Sequence, residues 1–149
     1  MHRRNILTAV FAATGALFAA ATKTANAAPA VPDKSKVVYH LTEADKVTFV
    51  LGNIKNHYEG VGGPEQVTIA LVVHGPALKA FHAVSASDDI EKRTEQVSKF
   101  GLQLNACGNT MRSQNVTLKD LLPGFTVAER GGVVRIAELQ AQGYVYLRP

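Results

Sequence analysis

Residues 66–76, QVTIALVVHGP, carry the strongest structural signal in this chain. The run from Gln66 to Val73 is almost continuously apolar and rich in β-branched side chains, which is typical of a central strand covered on both faces. His74-Gly75-Pro76 ends the run, and Pro76 suits the first turn of a short helix. A buried strand that passes directly into a helix predicts a parallel sheet with helical connections.

Four further strand-like runs lie on either side of this segment, separated by stretches of helical periodicity. They cover residues 36–41, 102–107, 125–128 and 144–147. Strands that alternate with helices predict a three-layer α/β/α domain over residues 36–149, with a five-stranded, mainly parallel sheet that is flavodoxin-like in organisation. The third strand is unusual because Gln103 and Asn105 alternate with apolar residues. One of its faces is therefore expected to meet a cavity, polar cover or another subunit.

Residues 1–27 have the layout of a cleaved export signal. A basic start containing Arg3 and Arg4 precedes an Ala-rich apolar stretch, and Ala-Asn-Ala at 25–27 supplies a signal-peptidase pattern. The apolar stretch is too weak for a membrane span, so no stable membrane anchor is expected after cleavage. The arginine pair also resembles a twin-arginine signal. We therefore predict export to the periplasm.

Cleavage leaves residues 28–149, enough for one domain with its own core. Residues 28–35 contain two prolines and are expected to form a flexible leader. Cleavage removes three of the 16 Lys and Arg residues, which leaves 13 against 12 Asp and Glu. This near-neutral balance, without a basic cluster interleaved with aromatics, argues against nucleic-acid binding.

Cys107, the only cysteine, ends the third strand-like run. One cysteine cannot form an internal disulfide, which leaves a buried inert thiol, a metal ligand, an intermolecular disulfide or a reactive nucleophile. A cysteine at a strand-to-helix junction gains from the N–H groups of the helix start, which stabilise negative charge and lower the thiol pKa. The competing interpretation is that Cys107 fills a small apolar slot beside Ala106.

Three positions after Cys107 are candidate substrate-binding residues. Gly108 lets the backbone approach a ligand closely, Asn109 is expected to cap the next helix, and Arg112 lies within one turn. Together they would stabilise a thiolate or persulfide anion.

His40 and His74 each follow an apolar run, so parallel pairing would bring both to the carboxyl edge that also holds Cys107. Imidazoles there could exchange protons with a substrate or stabilise a thiolate. The simpler interpretation is that each bonds a loop carbonyl and ends its strand. A Cys/His₂ set could also bind zinc or copper, but the spacing matches no metal motif, and no metal or cofactor is predicted. His57 and His82 are expected to be surface groups.

Other functional templates fail. The chain has no C-x-x-C pair, which excludes thioredoxin-type exchange. It has no phosphate-binding Walker loop or dinucleotide fingerprint, and its glycine cluster at 60–63 precedes a strand rather than a helix.

Four motifs in fixed order resemble the DsrE/DsrF-like sulfur-relay family, and more closely its exported single-domain branch. The motifs are VVHG (72–75), CGNTM (107–111), LPG (122–124) and LQxxGY (139–144). The resemblance covers the mature chain and implies a five-stranded parallel α/β fold. It also implies homo- or hetero-oligomers, often trimers or hexamers, and sulfur transfer through a cysteine persulfide. Cys107 matches the family cysteine, and His74 matches a histidine of the exported branch.

Three functional hypotheses follow. The first is an exported sulfur carrier or sulfurtransferase in which Cys107 exchanges sulfane sulfur with a donor and an acceptor, either a protein or a small thiol, assisted by His74 and His40. The second is a noncatalytic periplasmic oligomer that binds a metal or small ligand at the carboxyl edge. The third is a structural oligomer with a buried thiol. Known relay members act in the cytoplasm with partner subunits, whereas this chain is predicted to be exported.

Overall fold

The structure, a computed structural model, describes residues 34–149. The predicted signal peptide and most of the predicted leader lie outside the described residues. The five strands are β1 (Ser35–Leu41), β2 (Val67–Val73), β3 (Gln103–Cys107), β4 (Phe125–Ala128) and β5 (Val145–Leu147). The α-helices are α1 (Val47–Gly60), α2 (Asp88–Lys99), α3 (Gly108–Ser113) and α4 (Gly132–Ala141). Short 3₁₀ helices cover Ala44–Lys46, Gly75–Phe81 and Leu118–Asp120.

The strands form one sheet in the order β4-β3-β2-β1-β5, and every pairing is parallel. The predicted α/β fold class is therefore confirmed. The chain steps from β1 to β4 in one direction across the sheet and then returns to the opposite edge for β5. Because parallel crossovers are right-handed, this reversal places α4 on the face opposite to α1, α2 and α3.

The two faces carry cores of different size. On the face under α1 and α2, 23 buried apolar residues form one cluster, which includes Ile54, Leu71 and Phe81. The face under α4 has a cluster of six, and its members are Val38, Ala70, Val72, Ile136, Leu139 and Tyr144. Strand alternation assigns each side chain to a face. Leu104 and Ala106 of β3 enter the larger cluster, so Asn105 and Cys107 point to the α4 side.

The ends of two short helices differ from the sequence prediction. Cys107, rather than Asn109, is the N-cap of α3, which therefore begins two residues earlier than predicted, at Gly108. Thr117 and Asp120 form a reciprocal capping pair, and the helix that they cap is a single 3₁₀ turn ending at Asp120. The first strand begins at Ser35, a residue assigned to the leader from sequence.

Within residues 34–149, none of the helices combines the length and apolar character needed to cross a bilayer.

Candidate functional site

The carboxyl edge of the sheet gathers Cys107, His74 and His40, as their positions at strand ends predicted. Cys107 is the last residue of β3, His74 directly follows β2, and His40 is the penultimate residue of β1. These three strands are neighbours in the sheet. An ideal Cβ on Gly132 would lie 3.3 Å from Cys107 Cβ and 3.3 Å from His74 Cδ2. The two side chains therefore flank one point and lie no more than twice that distance apart.

Cys107 is buried, with 5% of its surface exposed, but its sulfur has polar neighbours. Burial opposes ionisation, whereas hydrogen bonds from the Thr110 side chain and from the N–H groups of Thr110, Gly132 and Asn109 favour the thiolate. The hydrogen bonds prevail, and the pKa of Cys107 lies below its ordinary value. Asn109 and Thr110 belong to the first turn of α3, and Gly132 is the first residue of α4. Two helix starts thus converge on one sulfur.

The Thr110 hydroxyl has its own partner, which orients it. Its oxygen accepts a hydrogen bond of 2.9 Å from the N–H of Gly75. Because a hydroxyl carries one proton and accepts through its lone pairs, this leaves the Thr110 O–H free to donate to the sulfur. Thr110 links the loop after β2 to Cys107, and it is 8% exposed.

Gly131 and Gly132 bring the start of α4 against the cysteine. Gly131 has a φ of +101°, and a Cβ at this position would lie 2.7 Å from Asn109 Nδ2. A Cβ on Gly132 would press on Cys107, His74 and Val72 together, each at 3.3 Å. Both positions therefore favour glycine for steric reasons, and the contact presents the Gly132 N–H to the sulfur.

His40 and His74 face each other with their Nε2 atoms 2.5 Å apart. Their ring centroids lie 4.7 Å apart with the ring planes tilted by 20°. This separation matches the N–N distance plus two ring radii, so the rings meet end to end rather than face to face. One Nε2 must carry a proton and the other a lone pair, because two N–H groups or two bare nitrogens would repel.

The surroundings keep both imidazoles neutral. Burial, then the neighbouring His74, then Arg148 lower the pKa of His40 to about 4, with Glu43 acting in the opposite direction. Burial and then Arg148 also lower the pKa of His74. At neutral pH the pair can therefore accept or pass a proton, but it does not supply a positive charge to the thiolate.

The three predicted substrate-binding residues have different environments. A Cβ on Gly108 would lie 3.1 Å from the carbonyl oxygen of Ala128, so this glycine permits a close approach of α3 to the end of β4. The backbone N–H of Asn109 faces Cys107, while its side-chain oxygen accepts a hydrogen bond from Arg112. Arg112 is exposed, and its guanidinium is not among the groups that shift the Cys107 pKa.

The polar residues of β3 meet both a polar cover and a cavity. Asn105 is 4% exposed; its amide donates to the carbonyl oxygens of Gln103 and Leu71, and its oxygen accepts from Arg135 Nε at 3.1 Å. A groove of about 310 Å³ lies beside it. Its lining includes Asn105, Ala128, Gly131, Arg130 and Arg135.

In the part of the chain that the structure describes, no three His, Cys, Asp or Glu side chains are grouped to hold a metal ion. His57 and His82, predicted to be surface groups, are half-buried. His57 Nδ1 pairs with the Tyr39 hydroxyl at 2.9 Å, and His82 Nε2 pairs with the Gln114 side-chain oxygen at 2.9 Å.

Comparison with known proteins identifies the class to which this fold and site belong. The DsrE/DsrF-like family matches residues 12–149, and the chain therefore belongs to that family. No curated protein of known identity matches the sequence.

Solved structures show the same fold. A protein of unknown function from Methanobacterium thermoautotrophicum, MTH1491, aligns with a TM-score of 0.67 and 25% identity, over 77% of this chain and 99% of its own. A protein of unknown function from Bacteroides thetaiotaomicron, BT1422, aligns with a TM-score of 0.59 and 18% identity, over 77% and 95%. YchN from E. coli has a TM-score of 0.57 at 12% identity, over 77% and 99%.

Three residues of the site were not identified from the sequence. Thr110 and Gly132 lie beside Cys107 and lower its pKa, and Tyr146 pairs with His40 Nδ1 at 2.7 Å. Thr110 lies inside the CGNTM motif, which was the one available signal for it. Gly132 looked like an ordinary helix start, and Tyr146 looked like any aromatic residue of a terminal strand.

Proposed function

We propose that this protein is an exported carrier or transferase of sulfane sulfur, with Cys107 as the residue that holds the sulfur. One observation carries the proposal: Cys107 lies at the junction of β3 and α3 with the start of α4 packed against it, and the Thr110 hydroxyl and the N–H groups at these helix starts lower its pKa. A neutral cysteine thiol in an apolar slot would gain little from such a set of hydrogen-bond donors. A thiolate or a persulfide anion does, because each donor stabilises negative charge.

The transfer step conserves electrons. The Cys107 thiolate attacks the outer sulfur of a donor persulfide or polysulfide, and a new S–S bond forms as the donor S–S bond breaks. The electron pair of the broken bond leaves with the inner sulfur as a thiolate, which takes up a proton. A second thiol, on a protein or a small molecule, then attacks the outer sulfur of the Cys107 persulfide and regenerates Cys107.

His74 and His40 manage the proton in this scheme. Neutral imidazoles accept the proton of the Cys107 thiol as it ionises and return one to the leaving thiolate. The outer sulfur of a persulfide extends about 2 Å beyond the cysteine sulfur, which allows it to approach His74 across Gly132. The lowered pKa values keep both rings neutral, so the pair would hand the proton on rather than hold it.

The groove beside Asn105 offers an approach to the buried sulfur. Two of its lining residues flank the cysteine: Ala128 pairs with Cys107 across the sheet, and Gly131 precedes Gly132. Because Cys107 is 5% exposed, slim donors are expected to react faster than bulky ones.

The cellular setting belongs to the proposal as well. The signal-like residues 1–27 support periplasmic export, and the family supports a homo-oligomer, a trimer or a hexamer. Val133 of α4 is 68% exposed, and Val145 of the edge strand β5, which points to the opposite face of the sheet, is 62% exposed. A second subunit could cover either side chain. Light scattering coupled to gel filtration tests the oligomer, and a monomer at all concentrations would contradict it.

The decisive experiment is intact-mass analysis of the purified protein after incubation with thiosulfate, polysulfide or a small-molecule persulfide. We expect a sulfur-sized adduct that disappears on addition of an acceptor thiol. Cys107→Ala is the matched control, because it removes the only sulfur nucleophile and leaves a similar volume. The proposal fails if no donor yields an adduct on the native protein.

The groove also favours a second candidate, the binding of a small anion without catalysis. Arg130 and Arg135 line it, although Glu138 pairs with Arg130 at 2.9 Å and with Arg135 at 3.6 Å. Thermal stabilisation of Cys107→Ala by thiosulfate or glutathione, lost on Arg135→Ala, would support this candidate. Adduct formation without ligand-induced stabilisation would exclude it.

A further inference from the structure

Tyr146 extends the His40–His74 pair into a chain of three groups. Its hydroxyl lies 2.7 Å from His40 Nδ1, and the other side of the His40 ring meets His74 at 2.5 Å. The chain crosses from β5 through β1 to the end of β2, so each member comes from a different strand end. Tyr146 is 37% exposed, which places its end of the chain at the surface.

The protons of this chain are coupled. If the Tyr146 hydroxyl donates to His40 Nδ1, His40 must carry its proton on Nε2 and donate it to His74 Nε2. If the direction reverses, every proton moves together: His74 Nε2 donates to His40, and His40 Nδ1 donates to the tyrosine oxygen. A proton that enters at one end therefore displaces one at the other.

An ion pair lies beside the surface end of the chain. Arg148 donates hydrogen bonds to Glu43 and, at 3.1 Å, to the Thr42 hydroxyl. Arg148 disfavours a positive charge on both imidazoles, and Glu43 favours one. With Tyr146 itself and Cys107 beyond Gly132, these are the charged or titratable groups that face the pair among the described residues.

From this geometry we infer that Tyr146 is a positioning residue, which sets the proton order of the His40–His74 pair and connects it to solvent. The inference rests on the proposed function, because the relayed proton is the one exchanged during sulfur transfer at Cys107. It adds a direction to that function: the proton leaves or enters through the β5 edge of the sheet.

The protein contains a matched control for this contact. Tyr39, in the same strand as His40 but facing the opposite side of the sheet, pairs through its hydroxyl with His57 Nδ1 at 2.9 Å. His57 has no second imidazole among its hydrogen-bond partners in the described residues. Tyr146→Phe and Tyr39→Phe therefore each remove one Tyr–His hydrogen bond and keep the ring, but only Tyr146→Phe breaks the chain.

The test uses ¹⁵N NMR of the histidine side chains together with the pH dependence of sulfur transfer from a small-molecule persulfide. In the unmodified protein, His40 and His74 are expected to titrate together, each as a single dominant tautomer. Tyr146→Phe is expected to mix the His40 tautomers, to change the pH profile, and to slow transfer roughly tenfold, less than the loss of a general acid–base group. Tyr39→Phe is expected to leave the His40 tautomers, the pH profile and the transfer rate unchanged.

Each outcome decides between the claims. Independent titration of His40 and His74 in the unmodified protein overturns the inference without any variant. Sulfur transfer by Tyr146→Phe with an unaltered rate, pH profile and tautomers overturns it and leaves the proposed function standing. If the unmodified protein takes up no sulfur at all, the proposed function is wrong, and the inferred proton relay, which depends on it, is wrong as well.

Discussion

One face of the sheet packs α1 and α2 over a cluster of 23 buried apolar residues, whereas the other packs α4 over a cluster of six. We call the face under α1 and α2 the thick face and the face under α4 the thin face. The thick face supplies most of the apolar burial and therefore most of the stability. The thin face carries Asn105, Cys107 and His40, which alternate with residues of the larger core on the same strands. Polar side chains are accommodated on the thin face because α4 offers them polar partners: Arg135 bonds Asn105, and the N–H of Gly132 faces Cys107.

The sharpest test of this contrast compares one truncation on each face. Leu71→Ala, at a fully buried position on the thick face, should lower the free energy of unfolding by about 3–4 kcal/mol. Ile136→Ala, on the thin face and 7% exposed, should cost about 2 kcal/mol, because solvent and side chains fill the space more easily. Urea denaturation measures both values. Equal losses would show that α4 is as tightly packed as α1.

A methyl group added at the site should affect chemistry more than stability. Gly132→Ala would place its Cβ 3.3 Å from Cys107 and His74, which displaces the start of α4 and its N–H from the sulfur. We expect alkylation of the Cys107 thiol to slow roughly tenfold at neutral pH as its pKa rises.

Gly52→Ala is the control for this variant. Gly52 lies in α1, and nothing lies within 4 Å of a Cβ placed there, so the change should slightly stabilise the protein and leave the thiol rate unchanged. Equal thiol rates in the two variants would argue against a role for Gly132 at the sulfur.

Loss of one hydroxyl should have a smaller effect on the same thiol. Thr110→Val removes the donor to Cys107 and leaves the Gly75 N–H without its acceptor. We expect the alkylation rate at pH 7 to fall about threefold and the free energy of unfolding to fall by about 1–2 kcal/mol. Thr110→Ser keeps the hydroxyl and should restore the rate; a rate as low as that of Thr110→Val would contradict the assignment.

The histidine pair should make stability depend on pH. The pKa of His40 is about 4 in the folded protein, against 6.5 for an ordinary histidine, and that of His74 is also lowered. As the pH falls from about 6.5 towards 4, the unfolded chain binds protons that the folded pair refuses, so the free energy of unfolding decreases. Above pH 6.5 the folded and unfolded states bind the same number of protons at these two histidines, so the contribution of the pair to stability no longer changes with pH.

Urea unfolding at pH 7, 5.5 and 4.5 measures this slope against the double variant His40→Gln/His74→Gln, in which it should be shallower. Glu43 does not mimic the effect, because hydrogen bonds from Thr42 and Arg148 lower its pKa to about 2. Identical slopes in the two proteins would show that the pair protonates as freely when folded as when unfolded.

The smallest effect is expected far from the site. Lys55 and Glu59 form an i,i+4 ion pair on the outer surface of α1 with both side chains partly exposed. Lys55→Ala should change the free energy of unfolding by less than about 0.5 kcal/mol and leave thiol alkylation unchanged. A larger change in the free energy of unfolding would mean that this ion pair contributes more to stability than an exposed pair should.

Much of the site was predictable because it follows from strand ends. Cys107, His74 and His40 each end an apolar run, and parallel pairing brings such ends to one edge. The polar alternation of Gln103 and Asn105 also predicted a face with polar cover, which Arg135 and the adjoining groove provide. Arg112 shows the limit of prediction from spacing alone. Its position one turn after Cys107 predicted a role near the sulfur, yet its guanidinium donates a hydrogen bond to the Asn109 side chain.

By itself, the sequence determined the order of strands and helices, their parallel pairing and the family, because these follow from local apolar periodicity and short motifs. Only the tertiary structure decided that Gly132 and Tyr146 belong to the site. These residues lie 25 and 39 positions from Cys107 in the chain. They reach it because the chain reverses after β4, which sends α4 across the second face and β5 to the far side of β1. No local pattern encodes that reversal; the handedness of crossovers and the packing of the two faces impose it.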